Sequence, residues 1–271
     1  MIVFPHCKIN LGLRIHARRP DGFHELSSLF FPVPLYDALE FVQAPEPEWL
    51  SGGLPLEGPA ENNLIFKAYR LLVEQGHQLP QLRVFLYKAI PHGAGLGGGS
   101  SDAAFMLKAL NDTFSLHLSS ERLYALAGLL GSDCPFFLQN QPCLVSGRGE
   151  LLEPFELNLS GYRLLLLKPS QGVSTAWAYG RITPSEPPLP LSEVLRQPMA
   201  CWKDSLVNDF ETPVFQHLPA LAAMKQWLYD QGALYASMTG SGSALYGLFD
   251  PASPWPTSLA DPDVQEFRVR L

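Results

Sequence analysis

The chain has 271 residues, of which 46% are hydrophobic and 17% charged, the composition of a folded globular protein. A formal net charge of -7 argues against wholesale binding to a nucleic-acid backbone, which requires clustered Lys and Arg. No run approaches the ~18 apolar residues of a membrane helix, and the first residues lack a secretory-signal pattern. We therefore expect a cytoplasmic protein with no nucleic-acid and no membrane partner.

The cysteines are spaced without a CxxC pair and without histidines at metal spacing, which favours reduced thiols over a zinc site or a disulfide framework. They are Cys7, Cys134, Cys143 and Cys201.

The first forty-odd residues alternate apolar and polar positions, as in KINLGLRI, and are interrupted by the turn signals RPDGFH and FPVPLYD. This pattern predicts antiparallel strands. A helix is predicted from an Asn cap in NNLIFKAYRLLVEQG to Gly76, and then a strand over residues 82–90. The strand leads into PHGAGLGGGSSDAA, residues 91–104, and a helix is predicted from Ser101 onward. The glycine-rich loop is thus expected at a strand-to-helix junction.

A second capped helix is predicted in SSERLYALAGLLG, with Gly131 as its stop, followed by a hairpin at 146–150 and a buried strand at 162–169. The proline-rich segment 183–192 is expected to be a connector. We predict a domain boundary near 150–190 and divide the chain into residues 1–155 and 156–271. The second part is expected to be α+β, with a helix that ends at Gly232 and two strands around TGSGS, residues 239–243.

A glycine loop that opens a helix is a natural phosphate cradle, because its backbone N–H groups lack intrahelical partners and no Cβ blocks close approach. A P-loop is excluded, since no Lys follows the glycines. The dinucleotide fingerprint G-x-G-x-x-G matches at Gly93, Gly95 and Gly98, but a second capped helix follows where a strand ending in an acid is needed.

The loop resembles the central phosphate motif of the GHMP kinases, P-x-x-x-G-L-G-S-S-A-A. The triple glycine resembles one branch in particular, which phosphorylates a cytidine-diphosphate-linked alcohol in non-mevalonate isoprenoid synthesis. Three other stretches resemble the same branch, in its order along the chain: KINLGL with RPDGFHEL, LGSDCPFFL and TGSGSALYGLF. The resemblance implies an α+β fold with two domains, the N-terminal one mixed α/β with the phosphate loop and the C-terminal one ferredoxin-like. It also implies ATP as co-substrate, Mg²⁺, and a small-molecule substrate with a cytidine diphosphate moiety.

The same resemblance implies the site residues. Lys8 and Asp133 are the expected catalytic residues, with Asp133 as base for the substrate hydroxyl and Lys8 beside it. Ser101 is a candidate Mg²⁺ ligand. ATP is expected at Pro91, His92, Gly93, Ala94, Gly95, Leu96, Gly97, Gly98, Gly99, Ser100 and Ser101; the substrate is expected at Asn10, Phe23, His24, Thr175 and Tyr179.

Several of these residues have a structural alternative. The period of two in CKINLGLRI places Lys8 and Asn10 opposite the apolar row and away from the core, as in a solvated strand. Ser132 or Asp133 could cap a helix with Pro135 in its first turn. Phe23 stands where the family usually has Tyr, and the aromatic that opposes it is Tyr179 or Trp177. The histidines His6, His16 and His92 are expected to be bystanders.

Two other functions stay open at this point. One is a GHMP kinase for another small alcohol, such as homoserine or mevalonate, for which the RPDGFH stretch has no evident use. The other is a nucleotide-binding protein that has lost catalysis, against which the presence of both Lys8 and Asp133 weighs.

Overall fold

The structure, a computed structural model, describes residues 1–56, 58–59, 62–185 and 189–271. It divides into two compact units, each built from several stretches of chain. The first comprises Met1–Cys7, Leu35–His92 and Gly97–Asn140, and the second comprises Lys8–Pro34, Gly93–Leu96 and Gln141–Leu271. The division at residue 155 remains a prediction, and residues 186–188 of the expected connector lie outside the described residues.

The strands of the described residues are β1 (Ile2–Val3), β2 (His6–Arg18), β3 (His24–Tyr36), β4 (Ala38–Gln43), β5 (Glu48–Gly53), β6 (Leu82–Lys88), β7 (Cys143–Ser146), β8 (Leu151–Pro154), β9 (Arg163–Pro169), β10 (Tyr235–Met238), β11 (Leu245–Phe249) and β12 (Val264–Arg270). The helices are α1 (Leu64–Glu74), α2 (Gly98–Thr113), α3 (Ser120–Leu130), α4 (Phe136–Gln139), α5 (Thr175–Tyr179), α6 (Leu191–Leu195), α7 (Trp202–Ser205), α8 (Glu211–His217) and α9 (Pro219–Asp230).

The first unit holds a four-stranded sheet in the order β1-β4-β6-β5 together with helices α1 to α4. Strands β5 and β6 run parallel, whereas β4 and β6 are antiparallel. Helix α2 packs against α1, α3 and α4, and residues on several of its faces are buried, Ala104, Met106 and Leu110 among them. Helix α2 is thus central to this unit, and the glycine-rich loop leads directly into it.

The second unit holds two further sheets, ordered β2-β3-β7-β8 and β10-β11-β9-β12. In the latter, β10, β9 and β12 are antiparallel to their neighbours, and α9 packs on β10 and β11. Strand β9 is an apolar run whose residues Leu164–Leu167 are all buried. The expected α+β character is therefore confirmed.

Local capping signals correctly predicted where two of the helices begin. Helix α1 begins after Asn63, whose side chain accepts the N–H of Ile65, and α3 begins after Ser119, whose hydroxyl accepts the N–H of Arg122. The prediction that α2 starts at Ser101 was three residues late. Gly97 adopts a left-handed conformation with φ of 70°, and the helix begins at the next residue. None of the helices in the described part of the chain combines the length and apolar character needed to cross a bilayer.

Candidate active site

The middle of the glycine loop belongs to the second unit and is held against the TGSGS turn. A Cβ on Gly95 would lie 2.1 Å from the carbonyl oxygen of Thr239, and Gly95 has a φ of +74°, so no other residue fits there. The Thr239 hydroxyl donates a 3.1 Å hydrogen bond to the Gly95 carbonyl. Within this turn Gly240 faces Gly95, whereas Gly242 faces Met238.

The end of the loop belongs to the first unit and forms the N-terminus of α2. Gly97 is the N-cap residue, and no side chain caps the helix. A Cβ on Gly99 would meet no heavy atom of the described residues within 4 Å, whereas one on Gly98 would lie 2.9 Å from Ile90. The uncapped N–H groups and the open space over Gly99 are the features that an anion-binding helix terminus needs. Pro91 and Ala94 are buried, and His92 and Gly93 are exposed.

Lys8 and Asn10 lie on β2 and are both buried, at 3% and 2% exposure. The expectation that Lys8 projects away from the core was wrong, because β2 is covered on both faces along this stretch. The Lys8 Nζ donates a 2.6 Å hydrogen bond to Asn10 Oδ1 and lies 4.4 Å from the centre of the Phe30 ring. The backbone N–H of Lys8 donates to the carbonyl of Leu96 in the glycine loop at 3.0 Å. A buried ammonium group with this fixed position is suited to act on negative charge.

Asp133 lies in the first unit, two residues before the N-cap of α4. The alternative that Ser132 or Asp133 caps this four-residue helix was wrong, because Pro135 occupies its N-cap and no side chain caps it. Nearby, burial raises the pKa of the Cys134 thiol to about 12, although a hydrogen bond with Ser100 opposes the shift. This contact links the Asp133 segment to the serine pair of the glycine loop.

His24 is the first residue of β3 in the second unit, and Phe23 directly precedes it. Phe23 is 49% exposed, and the Arg148 guanidinium lies 4.9 Å from its ring centre. The His24 ring stacks on Tyr179, with centroids 5.0 Å apart and an angle of 26° between the planes. Partial burial, together with the nearby charge of Arg18, lowers the pKa of His24, so its imidazole is neutral at pH 7 with one donor and one acceptor nitrogen.

The structure distinguishes the two aromatic candidates on α5. Tyr179 contacts His24 and, edge-on, Phe210, whereas Trp177 packs against His217 and Arg181. Thr175 lies at the start of α5, where its hydroxyl and that of Ser241 are 2.9 Å apart. Phe23, His24, Thr175 and Tyr179 therefore all belong to the second unit, and the ring that faces Tyr179 is that of His24 and not that of Phe23.

The sequence analysis missed a buried charged cluster in the first unit, formed by Lys88, Asp37 and Asp102. Lys88 forms ion pairs with both carboxylates. The signal was present in β6, whose buried positions alternate as Leu82, Val84, Leu86 and Lys88. The alternation along the strand therefore places Lys88 in the same buried row as three apolar residues. A buried lysine requires a partner of opposite charge.

Magnesium requires oxygen ligands and in kinases is held largely by the nucleotide phosphates. The described residues contain no group of three or more His, Cys, Asp or Glu side chains placed to hold a metal ion. The Ser101 hydroxyl is buried and has no hydrogen-bond partner among the described residues. An orphaned hydroxyl in the first turn of α2 fits an ion that is bound mainly by phosphate oxygens.

Two protein-family models match this chain. Residues 63–143 match the family described as GHMP kinases N terminal domain, and residues 191–254 match the family described as GHMP kinases C terminal. The 4-diphosphocytidyl-2-C-methyl-D-erythritol kinase of Bacteroides fragilis is 49% identical over 255 residues, 93% of each chain. The enzyme of the same name from Bacteroides thetaiotaomicron is 47% identical over 275 residues and is covered in full by the alignment, as is this chain.

The solved structures that resemble this chain include a kinase of the same name. A crystal structure of 4-(cytidine 5'-diphospho)-2C-methyl-D-erythritol kinase superposes with a TM-score of 0.79 at 35% identity, over 92% of this chain and 90% of the other. The Methanococcus jannaschii mevalonate kinase superposes with a TM-score of 0.73 at 13% identity, over 100% and 98% of the two chains, which shows the shared fold. The chain belongs to the GHMP kinase family, in the group of the 4-diphosphocytidyl-2-C-methyl-D-erythritol kinases.

Proposed function

We propose that this protein transfers the γ-phosphoryl group of ATP to the 2-hydroxyl of 4-diphosphocytidyl-2-C-methyl-D-erythritol, a step of non-mevalonate isoprenoid precursor synthesis. The observation that carries the proposal is the near full-length similarity to kinases of that name. It is supported by the uncapped N-terminus of α2 in one unit and by the aromatic group at Phe23 and His24 in the other.

ATP is assigned to residues 91–101. The free N–H groups at the start of α2 would hold the phosphates, because the helix dipole and the unpaired donors both favour negative charge there. Gly97 provides the left-handed turn into the helix, and Gly99 leaves the approach open. Ser100 is partly exposed and would donate its hydroxyl to a phosphate oxygen.

The catalytic roles are assigned to Lys8 and Asp133. Asp133 would accept the proton of the 2-hydroxyl, and the Lys8 ammonium would offset the negative charge that spreads over the transferring phosphoryl group. Little proton transfer is needed early in the reaction, because the transition state of phosphoryl transfer is loose. Asn10 holds the Lys8 Nζ at 2.6 Å and so fixes the position of this charge.

The cytidine end of the substrate is assigned to Phe23, His24, Thr175 and Tyr179. A ring face such as that of Phe23 stacks on a base, and a neutral imidazole such as that of His24 has both a donor and an acceptor for its edge. Tyr179 would orient His24 through their stacked rings. A hydroxyl contact at position 23, where Tyr is usual in the family, would be absent in this chain.

Magnesium would neutralise the polyphosphate when bound. Ser101 is the protein group that we assign to it, since its hydroxyl is orphaned among the described residues. The remaining ligands would come from the nucleotide and from water.

The test is ADP release by the purified protein with the cytidine substrate, compared with homoserine and with mevalonate. Turnover with the cytidine substrate alone supports the proposal. Turnover with either of the other alcohols would favour a different kinase of the same fold, and ATP binding without any turnover would indicate a nucleotide-binding protein that has lost catalysis.

A further inference from the structure

The backbone at the start of the TGSGS turn is held by a buried asparagine, Asn208, which is 1% exposed. Its Nδ2 donates to the carbonyl oxygens of Met238 and Gly240, at 2.7 and 2.9 Å. Its Oδ1 accepts the backbone N–H of Phe210 at 3.0 Å, which fixes the orientation of the amide group. One side chain therefore determines the position of the backbone where β10 ends and the turn begins.

The segment around Asn208 is itself fastened to β2, the strand that carries Lys8. The backbone N–H of Leu13 donates to the carbonyl of Val207 at 2.9 Å, and the N–H of Asp209 donates to the carbonyl of Leu13 at 2.8 Å. These two hydrogen bonds flank Asn208 in the sequence, so its backbone is anchored to β2 on both sides. The position of the turn is thus set relative to the strand that carries the proposed catalytic lysine.

A chain of hydrogen bonds leads from Asn208 to the ammonium group of Lys8, and all its members belong to the second unit. Gly240, whose carbonyl accepts from Asn208, donates its N–H to Asn10 Oδ1 at 2.9 Å. The same Oδ1 accepts from Lys8 Nζ at 2.6 Å. Because Asn208 fixes Gly240, and Gly240 shares an acceptor with Lys8, a displacement of Gly240 changes the position of Asn10 Oδ1. The ammonium group that is bound to this oxygen then moves as well.

We propose that Asn208 is a positioning residue for phosphoryl transfer, which sets the place of the Lys8 ammonium group through Gly240 and Asn10. The inference rests on the proposed function in that it takes Lys8 as the catalytic ammonium group. Among the described residues, the side chain of Asn208 forms its hydrogen bonds with backbone atoms, so it acts through the turn and not on a substrate. Stabilisation of charge in a buried site depends on exact placement of the stabilising group, so a small displacement of the ammonium group lowers kcat.

The experiment is a double-mutant cycle in kcat with the cytidine substrate, built from Asn208→Ala, Asn10→Ala and the variant that carries both changes. Asn208→Ala should lower kcat on the order of 10-fold. The KM for the cytidine substrate should hardly change, because the cytidine end is assigned to other residues. In the Asn10→Ala background the same substitution should cost little further kcat, since the link to Lys8 is already broken. Effects on kcat that multiply, or an unchanged kcat in Asn208→Ala, would overturn the inference.

Asp209→Ala is the matched control. The Asp209 carboxylate accepts the backbone N–H of Ile15 at 2.8 Å and pairs with Arg14 at 3.1 Å, so its loss weakens the same segment without removing a hydrogen bond to the TGSGS turn. This variant should have a lower melting temperature and keep most of its kcat. An equal loss of kcat in both variants would overturn the inference, because general destabilisation would explain it. If Asn208→Ala does not fold, Asn208→Ser replaces it, since one hydroxyl donor can serve only one of the two carbonyls.

A spectroscopic measurement tests the same chain of hydrogen bonds without turnover. In nitrogen–proton NMR spectra, the side-chain amide signals of Asn10 should move in the Asn208 variant and stay in place in Asp209→Ala. Signals that stay in place in both variants would overturn the inference, whichever alcohol the enzyme phosphorylates. Failure of the wild type to turn over the cytidine substrate, by contrast, would contradict the proposed function and leave the NMR result decisive for Asn208.

Discussion

Lys8 and Asn10 form a buried pair in which the lysine Nζ lies 2.6 Å from the asparagine Oδ1. The same Oδ1 also accepts the Gly240 N–H at 2.9 Å, and Asn10 Nδ2 donates to the Ser28 hydroxyl at 2.8 Å. Asn10 thus connects the proposed catalytic lysine to the turn that packs on the glycine loop.

Asn10→Ala should therefore lower kcat by at least 10-fold and destabilise the protein by roughly 2–4 kcal/mol, because the buried Lys8 ammonium and the part-buried Gly240 N–H lose their acceptor. Steady-state kinetics and urea unfolding measure the two effects. Ser28→Ala is the matched control, since it removes one partner of Asn10 but leaves the contact with Lys8. It should lose some stability and keep most of its kcat. A similar loss of kcat in both variants would mean that general destabilisation is the cause.

Asp133→Asn should lower kcat on the order of 10²-fold or more, the typical contribution of a positioned base. The melting temperature should hardly change, because Asp133 caps no helix in the structure. Ser132→Ala, at the neighbouring position, should keep near-normal turnover. Near-normal turnover of Asp133→Asn would remove Asp133 from the catalytic residues.

Substitution of Gly99 should weaken ATP binding without lowering the stability of the protein. Gly99→Ala introduces a Cβ that meets none of the described residues, and alanine favours a helix by up to about 1 kcal/mol over glycine. The melting temperature should stay the same or rise, whereas the KM for ATP should rise because the methyl group occupies the space assigned to the phosphates. An unchanged KM for ATP would contradict that assignment.

Gly97→Val should weaken ATP binding far more than binding of the cytidine substrate. Gly97 has a φ of 70°, which a β-branched residue adopts only with strain, so the turn into α2 would be distorted. Separate titrations with each ligand test this expectation. Equal losses for both ligands at normal stability would show that the loop holds something other than ATP.

Phe23→Ala should weaken binding of the cytidine substrate by about 1–3 kcal/mol, or roughly 5- to 150-fold in affinity, and leave the affinity for ATP unchanged. Phe23→Tyr keeps the ring face and should be nearly neutral. Trp177→Ala is a suitable control, since Trp177 packs on His217 and Arg181 rather than on His24. Normal substrate binding by Phe23→Ala would exclude Phe23 from the cytosine site.

The stability of the protein should fall in mild acid because of His6. Its ring is buried among Phe105, Phe136 and Phe137, and burial lowers its pKa from 6.5. The unfolded chain therefore binds the proton more readily than the folded one. The stabilising contribution is complete above pH 6.5 and is lost as the pH falls toward the lower pKa of the folded state. His6→Phe should show a smaller loss of melting temperature between pH 7 and 5, and an equal loss would exclude His6 as the cause.

The sequence by itself determined the helix boundaries at Asn63 and Ser119, the strand before the glycine loop and the loop's place at the start of a helix. These features depend on interactions within a few residues, such as a cap side chain and the N–H two or three positions ahead. The order of the motifs was also sufficient to identify the family, because the motifs are spread over most of the chain.

Only the tertiary structure decided which groups meet. Asn10 contacts Thr239 across 229 positions of sequence, and Lys88 contacts Asp37 across 51. Strand periodicity gives the face on which Lys8 lies but not whether a second layer covers that face, and for this reason its burial was not foreseen. The same limit applies to Tyr179 and Trp177, which are two residues apart on one short helix; their separate partners, His24 and His217, come from distant parts of the chain.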